Sequence, residues 1–369
     1  MIGNAGMGHL HIANGGVFDQ NLSTSSDAFI AFDVGSDGDA TVSGTDSQWL
    51  MRRLDVGRSS TGTLSVEAGG LVRTTATSLS GDVVLGSLAG GDGKVAVFGS
   101  GGAASLLDVD DNLYVGDVDM GVLNVGLDLD DTADGTGALQ VDGFLYIGDE
   151  VGNTAENKVV VAGTNATANV GGVVRAGNGG RGTLEIKNGA NFTAAFVRVG
   201  EAATGDGTLL VDGPGSQLIA TAGSANSIIG TNGLGGATVS DGALFQNDML
   251  WVGYQGSADG TLLIDNATVN AGTGNTTNND LIIGGRTDGA GGTGAVTVQN
   301  GGLLTSAVQT VVGGNATGVG SLTVTGIGSL LDNFDNGPGG ASNGILRIGQ
   351  NGAGTADVLD GGRIRPRAF

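Results

Sequence analysis

The chain has no cysteine, 3 prolines, 2 histidines and only 4% aromatic residues in 369. Without thiols it has neither disulfides nor thiolate metal sites, so packing and backbone pairing must hold the fold. Basic residues are also few: 15 Lys and Arg stand against 37 acids, a formal net charge of -22. That balance opposes a sequence-independent grip on phosphate backbones and disfavours nucleic acid and anionic membrane surfaces as partners. Only five acids are Glu (Glu67, Glu150, Glu156, Glu185, Glu201), so the excess is Asp, a turn former placed on solvated corners. No run approaches the ~20 apolar residues of a membrane helix, and membrane insertion by this chain is not expected. Met1-Ile2-Gly3-Asn4 does not open a basic-then-apolar leader. What the chain has in abundance is glycine, 75 residues. Each interior Gly costs a helix about 1 kcal/mol relative to Ala, so long helices are excluded. The hydrophobic 39% falls in short alternating runs. The chain reads as all-β.

A phrase of apolar, any residue, apolar, Gly recurs at Phe32-Asp33-Val34-Gly35, Leu54-Asp55-Val56-Gly57, Leu113-Tyr114-Val115-Gly116, Leu145-Tyr146-Ile147-Gly148, Val197-Arg198-Val199-Gly200, Leu250-Trp251-Val252-Gly253 and Leu346-Arg347-Ile348-Gly349. Gly-Thr-apolar-x-apolar lies between copies, as in Gly182-Thr183-Leu184-Glu185-Ile186 and Gly260-Thr261-Leu262-Leu263-Ile264. A third phrase follows a turn, as in Gly69-Gly70-Leu71-Val72 and Gly328-Ser329-Leu330-Leu331. Each repeat supplies three short strands whose flanking apolar residues point inward and whose middle residue points outward. One coil cannot bury its own apolar face, whereas stacked coils close a common core. The expected fold is a single right-handed parallel β-helix (β-solenoid) of about 12–13 coils. Residues 1–369 are expected to form one continuous solenoid without its own caps, signal peptide or anchor.

These phrases resemble the repeat shared by type V secretion (autotransporter-like) passengers and PEP-CTERM-associated surface proteins of bacteria, a pattern that fits nearly the whole chain from Ile2 to about Ile364. The resemblance implies an extracellular or cell-surface β-helical stalk with an adhesive role. The motif is specific for architecture and weak for activity.

Candidate sites follow from the columns that stacked coils create. The outward column of the Gly-Thr strand is expected to run His11, Thr41, Ser65, Ala96, Gln140, Val160, Glu185 and onward to Asp357. It holds no neighbouring acids of the kind that acid–base hydrolysis needs, so no catalytic residue is expected. The acid-rich segment with Asp128, Asp130, Asp131 and Asp134 reads as a solvated loop or as a site for calcium, the one cofactor considered. The middle column of the apolar-x-apolar-Gly strand gives a strip of Tyr114, Tyr146, Ile228, Trp251, Ile282 and Val311. Such a strip marks either a contact surface or a ladder covered by the protein's own loops. The leading expectation is a non-enzymatic structural or adhesive rod. Its partners are further copies of itself, head to tail or laterally, or a surface glycan or protein. A carbohydrate-binding or polysaccharide-cleaving β-helix is the alternative.

Overall fold

In the computed structural model the described residues are 1–20, 27–76, 81–99, 103–132, 135–220, 226–272, 281–285, 290–333 and 344–366. Every regular element among them is a β-strand, and the registered pairings are parallel, which makes the protein a parallel β-solenoid. Its contacts group into two compact units, Met1–Val174 with Gly180–Thr193 and Arg175–Gly179 with Ala194–Phe369.

A typical coil of unit 1 consists of Thr61–Glu67, Leu71–Thr74 and Val83–Leu85. First strands of this unit stack in the order Met7–Ala13, Asp37–Ser43, Thr61–Glu67, Asp92–Phe98, Met120–Val125, Asn157–Ala162 and Arg181–Lys187. Unit 2 repeats the plan with Asp206–Asp212, Leu234–Ser240, Asp259–Asp265, Thr293–Gln299, Val319–Thr325 and Ala353–Leu359. Alternation works as the period of two requires. Leu64, Val66, Leu184, Ile186, Leu262 and Ile264 are buried, and Ser65, Glu185 and Leu263 lie at the outer surface.

Glycine closes the corner after every described third strand except the first. Gly253 has φ +72°, and a β-carbon there would collide with the Thr293 carbonyl of the next coil. Gly260 abuts Gly253, so a side chain at either position would push the backbones apart. Another corner is tied by buried serines: the hydroxyls of Ser47, Ser105 and Ser329 each accept the N–H of a glycine one coil away, at 3.1 Å from Gly15, Gly69 and Gly301. In unit 1 a single side chain interrupts the column Gly8, Gly38, Gly62, Gly93, Gly121, Gly182. Asn157 pairs with Gly182, lies buried, accepts the Gly121 N–H at 2.9 Å and donates to the Arg181 carbonyl at 3.1 Å.

Two expected registers are corrected. The first third-strand is Asp27–Ile30, whose Phe29 pairs with Asp55. Ala31, with φ 57°, takes the corner filled elsewhere by glycine. Phe32-Asp33-Val34-Gly35 therefore follows the strand, and Val34 is 85% exposed. The outward column of the first strands passes from Ala96 to Asn124, not to Gln140. Gln140 sits on a second strand opposite Asp108 and Asn169. Gly121-Val122-Leu123-Asn124-Val125 and Gly137-Ala138-Leu139-Gln140-Val141 carry the same alternation, so pattern alone does not separate them.

Candidate functional site

The third strands of unit 1 stack Phe29, Asp55, Val84, Tyr114 and Tyr146 into one outward column. The residue after each corner forms a second column beside it: Phe32, Arg58, Ser87, Asp117 and Asp149. Where the first four coils meet, the two columns border a cavity of about 580 Å³ walled by Phe29, Phe32, Arg53, Arg58, Asp55 and Asp117, with Ser87 and Leu88 also lining it.

Asp55 is almost fully buried, and the Ser87 hydroxyl reaches both of its carboxylate oxygens, at 2.8 and 2.9 Å. Burial raises this carboxyl above the ordinary range, and the Ser87 hydrogen bond with the positive charges of Arg53 and Arg58 opposes the rise. Asp117 is pushed up to about 6 by burial and by the neighbouring carboxylates of Asp149 and Glu150. On the opposite side, the Arg58 guanidinium lies 4.2 Å from the centre of the Phe32 ring and 5.6 Å from that of Phe29. Those two rings meet edge to face at 5.0 Å. Asp27, which also lines the cavity, is ion-paired to Arg52 at 2.5 Å. The cavity thus juxtaposes carboxylates that resist ionisation with a guanidinium seated on aromatic faces.

The Asp117 shift yields a pH-dependent stability test. With a folded value of about 6 against 3.8 for the free group, the folded chain binds the proton more tightly than the unfolded chain. Ionisation therefore costs stability as pH rises from about 4 to 6, and the whole penalty is present above that window. After allowance for its partial exposure, Asp117→Asn is expected to stabilise unit 1 by about 1–2 kcal/mol at pH 7.5, with the gain gone near pH 4. Thermal melts of both chains across that range measure it, and a gain that persists unchanged at pH 4 contradicts the assignment.

The expected contact strip divides. In unit 1, Tyr114 and Tyr146 are half-buried and stack face to face at 4.8 Å, with 3° between the rings. Unit 2 keeps the predicted order Arg198, Ile228, Trp251, Ile282, Val311, Arg347. Yet Ile228 and Ile282 are 3% exposed and Val311 is fully buried, so an open contact face at these three residues is corrected to a covered ladder. Gly314 lies beside the Ile282 side chain, and Tyr254 stacks on Trp251 at 4.9 Å.

The acid-rich loop folds onto the outer face of the first strands. Leu127 is buried with Val160 and Ala162. The Asn124 amide donates to the Asp128 carbonyl and to the Asp131 carboxylate, both at 2.8 Å. The Asp128 carboxylate accepts the N–H groups of Asp130 at 3.1 Å and Thr132 at 2.8 Å. Asp134 lies outside the described residues. Among the described residues no three His, Asp or Glu side chains are placed to share an ion. His9 pairs with Asp39, and the His9 and His11 rings stack at 6.3 Å.

Asp55, Arg58 and Asp117 were within reach of sequence reasoning. The residue after the corner glycine forms a column of its own, and reading the middle position alone misses it. No known protein-family profile matches the chain. No solved structure matches it either. It is 29% identical over 176 residues to the uncharacterized lipoprotein YdeK of Escherichia coli (strain K12), a match that covers 48% of this chain and 13% of that protein. The chain spans about an eighth of the length of this relative.

Proposed function

We propose that this chain is a non-enzymatic structural or adhesive β-solenoid of a bacterial surface protein. The observation that carries the reading is the economy of the coil. Most repeating positions of the coil serve the core, the glycine corners or the serine ties, which leaves solvent-facing ladders such as Gln140–Asn169–Thr193, joined at 2.9 and 2.6 Å. Such a framework suits display of a long surface more than enclosure of a reaction centre. The lipoprotein name of the relative supports an envelope location, and the repeat resemblance supports the outward-facing side of that envelope. Self-association, head to tail or lateral, belongs to the same reading.

Two measurements test it. Protease treatment of intact cells that make the native protein is expected to degrade these coils, and protection until lysis contradicts surface display. Sedimentation of the purified chain from 1 to 100 μM is expected to show association that grows with concentration. A single monomeric species throughout removes self-association from the reading.

A further inference from the structure

We propose that the lateral cavity of unit 1 is a binding site for a neutral oligosaccharide chain. Its chemistry points to that class. Among the described residues no donor hydrogen-bonds the Asp117 carboxylate, and no carboxylate is in ion-pair contact with Arg58. A strong acceptor and a strong donor therefore face one cavity with capacity unused, beside the apolar surfaces of Phe29, Phe32 and Leu88. A sugar ring meets both demands. Its hydroxyls donate to a carboxylate and accept from a guanidinium, and its C–H faces pack on apolar walls.

The remaining groups hold this arrangement in place. Ser87 fixes both oxygens of Asp55, the Arg53 guanidinium stands 4.0 Å from the same carboxylate, and the edge-to-face rings seat Arg58. The site is thus organised before any ligand arrives, which reduces the ordering cost of binding. Val84 of the same column is buried, but the half-buried Tyr114–Tyr146 stack begins on the coil that carries Asp117 and offers a second aromatic surface beside the cavity. A ligand long enough to reach from the cavity to this stack uses both surfaces, whereas a compact metabolite meets only the first. Charge selects among polymers: a chain of net charge -22 repels polyanions over long range.

This proposal is independent of surface display, because a soluble chain either binds the sugar or does not. Native gels cast with hydroxyethyl cellulose, laminarin, galactomannan or glucomannan give the test, with polygalacturonate and alginate as anionic counterparts. At least one neutral polymer is expected to retard the intact chain. Arg58→Ala and Asp117→Ala are each expected to weaken that retardation at least tenfold, while Arg347→Ala, in unit 2, leaves it unchanged. Melting curves establish that each variant is folded, and if Arg58→Ala does not fold, Asp117→Ala decides alone. Retardation by none of the neutral polymers, retardation by the polyanions only, or cleft variants that bind like the parent each overturn the proposal.

Discussion

Replacing Leu184 by Asp is expected to cost unit 1 at least about 4 kcal/mol, enough to abolish its cooperative melting. Leu184 is fully buried, and its strand neighbour in the preceding coil is Val159, so the new carboxylate meets only apolar side chains and backbone groups already paired in the ladder. The neighbouring position gives the contrast. Glu185 faces outward and is bridged by Lys158 at 2.5 Å and Lys187 at 2.9 Å. Burial works against its charge, but the two lysines win and hold its pKa below the usual carboxylate range. Glu185→Gln is expected to change stability by no more than about 1 kcal/mol. Circular dichroism melts of the two variants separate these cases. A Leu184→Asp chain that melts like its parent contradicts the inward register.

The second large effect is expected at a corner. Gly253→Ala puts a methyl group on a residue with φ +72°, where the left-handed conformation alone costs about 1–2 kcal/mol, and drives that methyl into the Thr293 carbonyl. Because the carbonyl belongs to the stacked ladder, relief requires the coils to separate, and a total of about 3 kcal/mol or more is expected. Gly301 provides the control. Its φ is +86°, but no atom lies within 4 Å of the built β-carbon, so Gly301→Ala is expected to cost only the conformational part. Equal losses in the two variants, read as denaturant midpoints at constant slope, contradict close coil approach as the reason for the Gly253 column.

Most of the solenoid was readable from the chain because its coils repeat three local phrases whose period of two leaves little choice of face. The third strands of unit 2 follow the expected order residue for residue from Arg198 to Arg347. Errors arose where a phrase occurred without its structural partner. Val34-Gly35 imitates a corner that Ile30-Ala31 occupies, since alanine at φ 57° leaves no glycine signal. The strand around Gln140 falls in the second-strand column because a loop inserted after Val125 delays it, and loop length is invisible to periodicity. Burial of Ile228, Ile282 and Val311 depends on what packs over the outer side of the third strands, a tertiary outcome that no strand pattern encodes. The Asp55, Arg58 and Asp117 group needed only the step from one column to the next, because stacking converts residues about thirty positions apart into neighbours.

Near-identical coils present a folding chain with a choice that their energies barely resolve: any coil is an adequate neighbour for any other, and a slip by a whole repeat preserves almost every apolar contact. Asn157 breaks the uniformity of the glycine column in unit 1. Its side chain is satisfied by Gly121 on one side and Arg181 on the other. At the equivalent positions Gly38, Gly62, Gly93 and Gly121 a β-carbon would strike backbone of a neighbouring strand or corner, so only this coil admits a side chain there. One polar residue therefore clasps three successive coils of unit 1 through its side chain, at a position where the rest of the column leaves backbone against backbone.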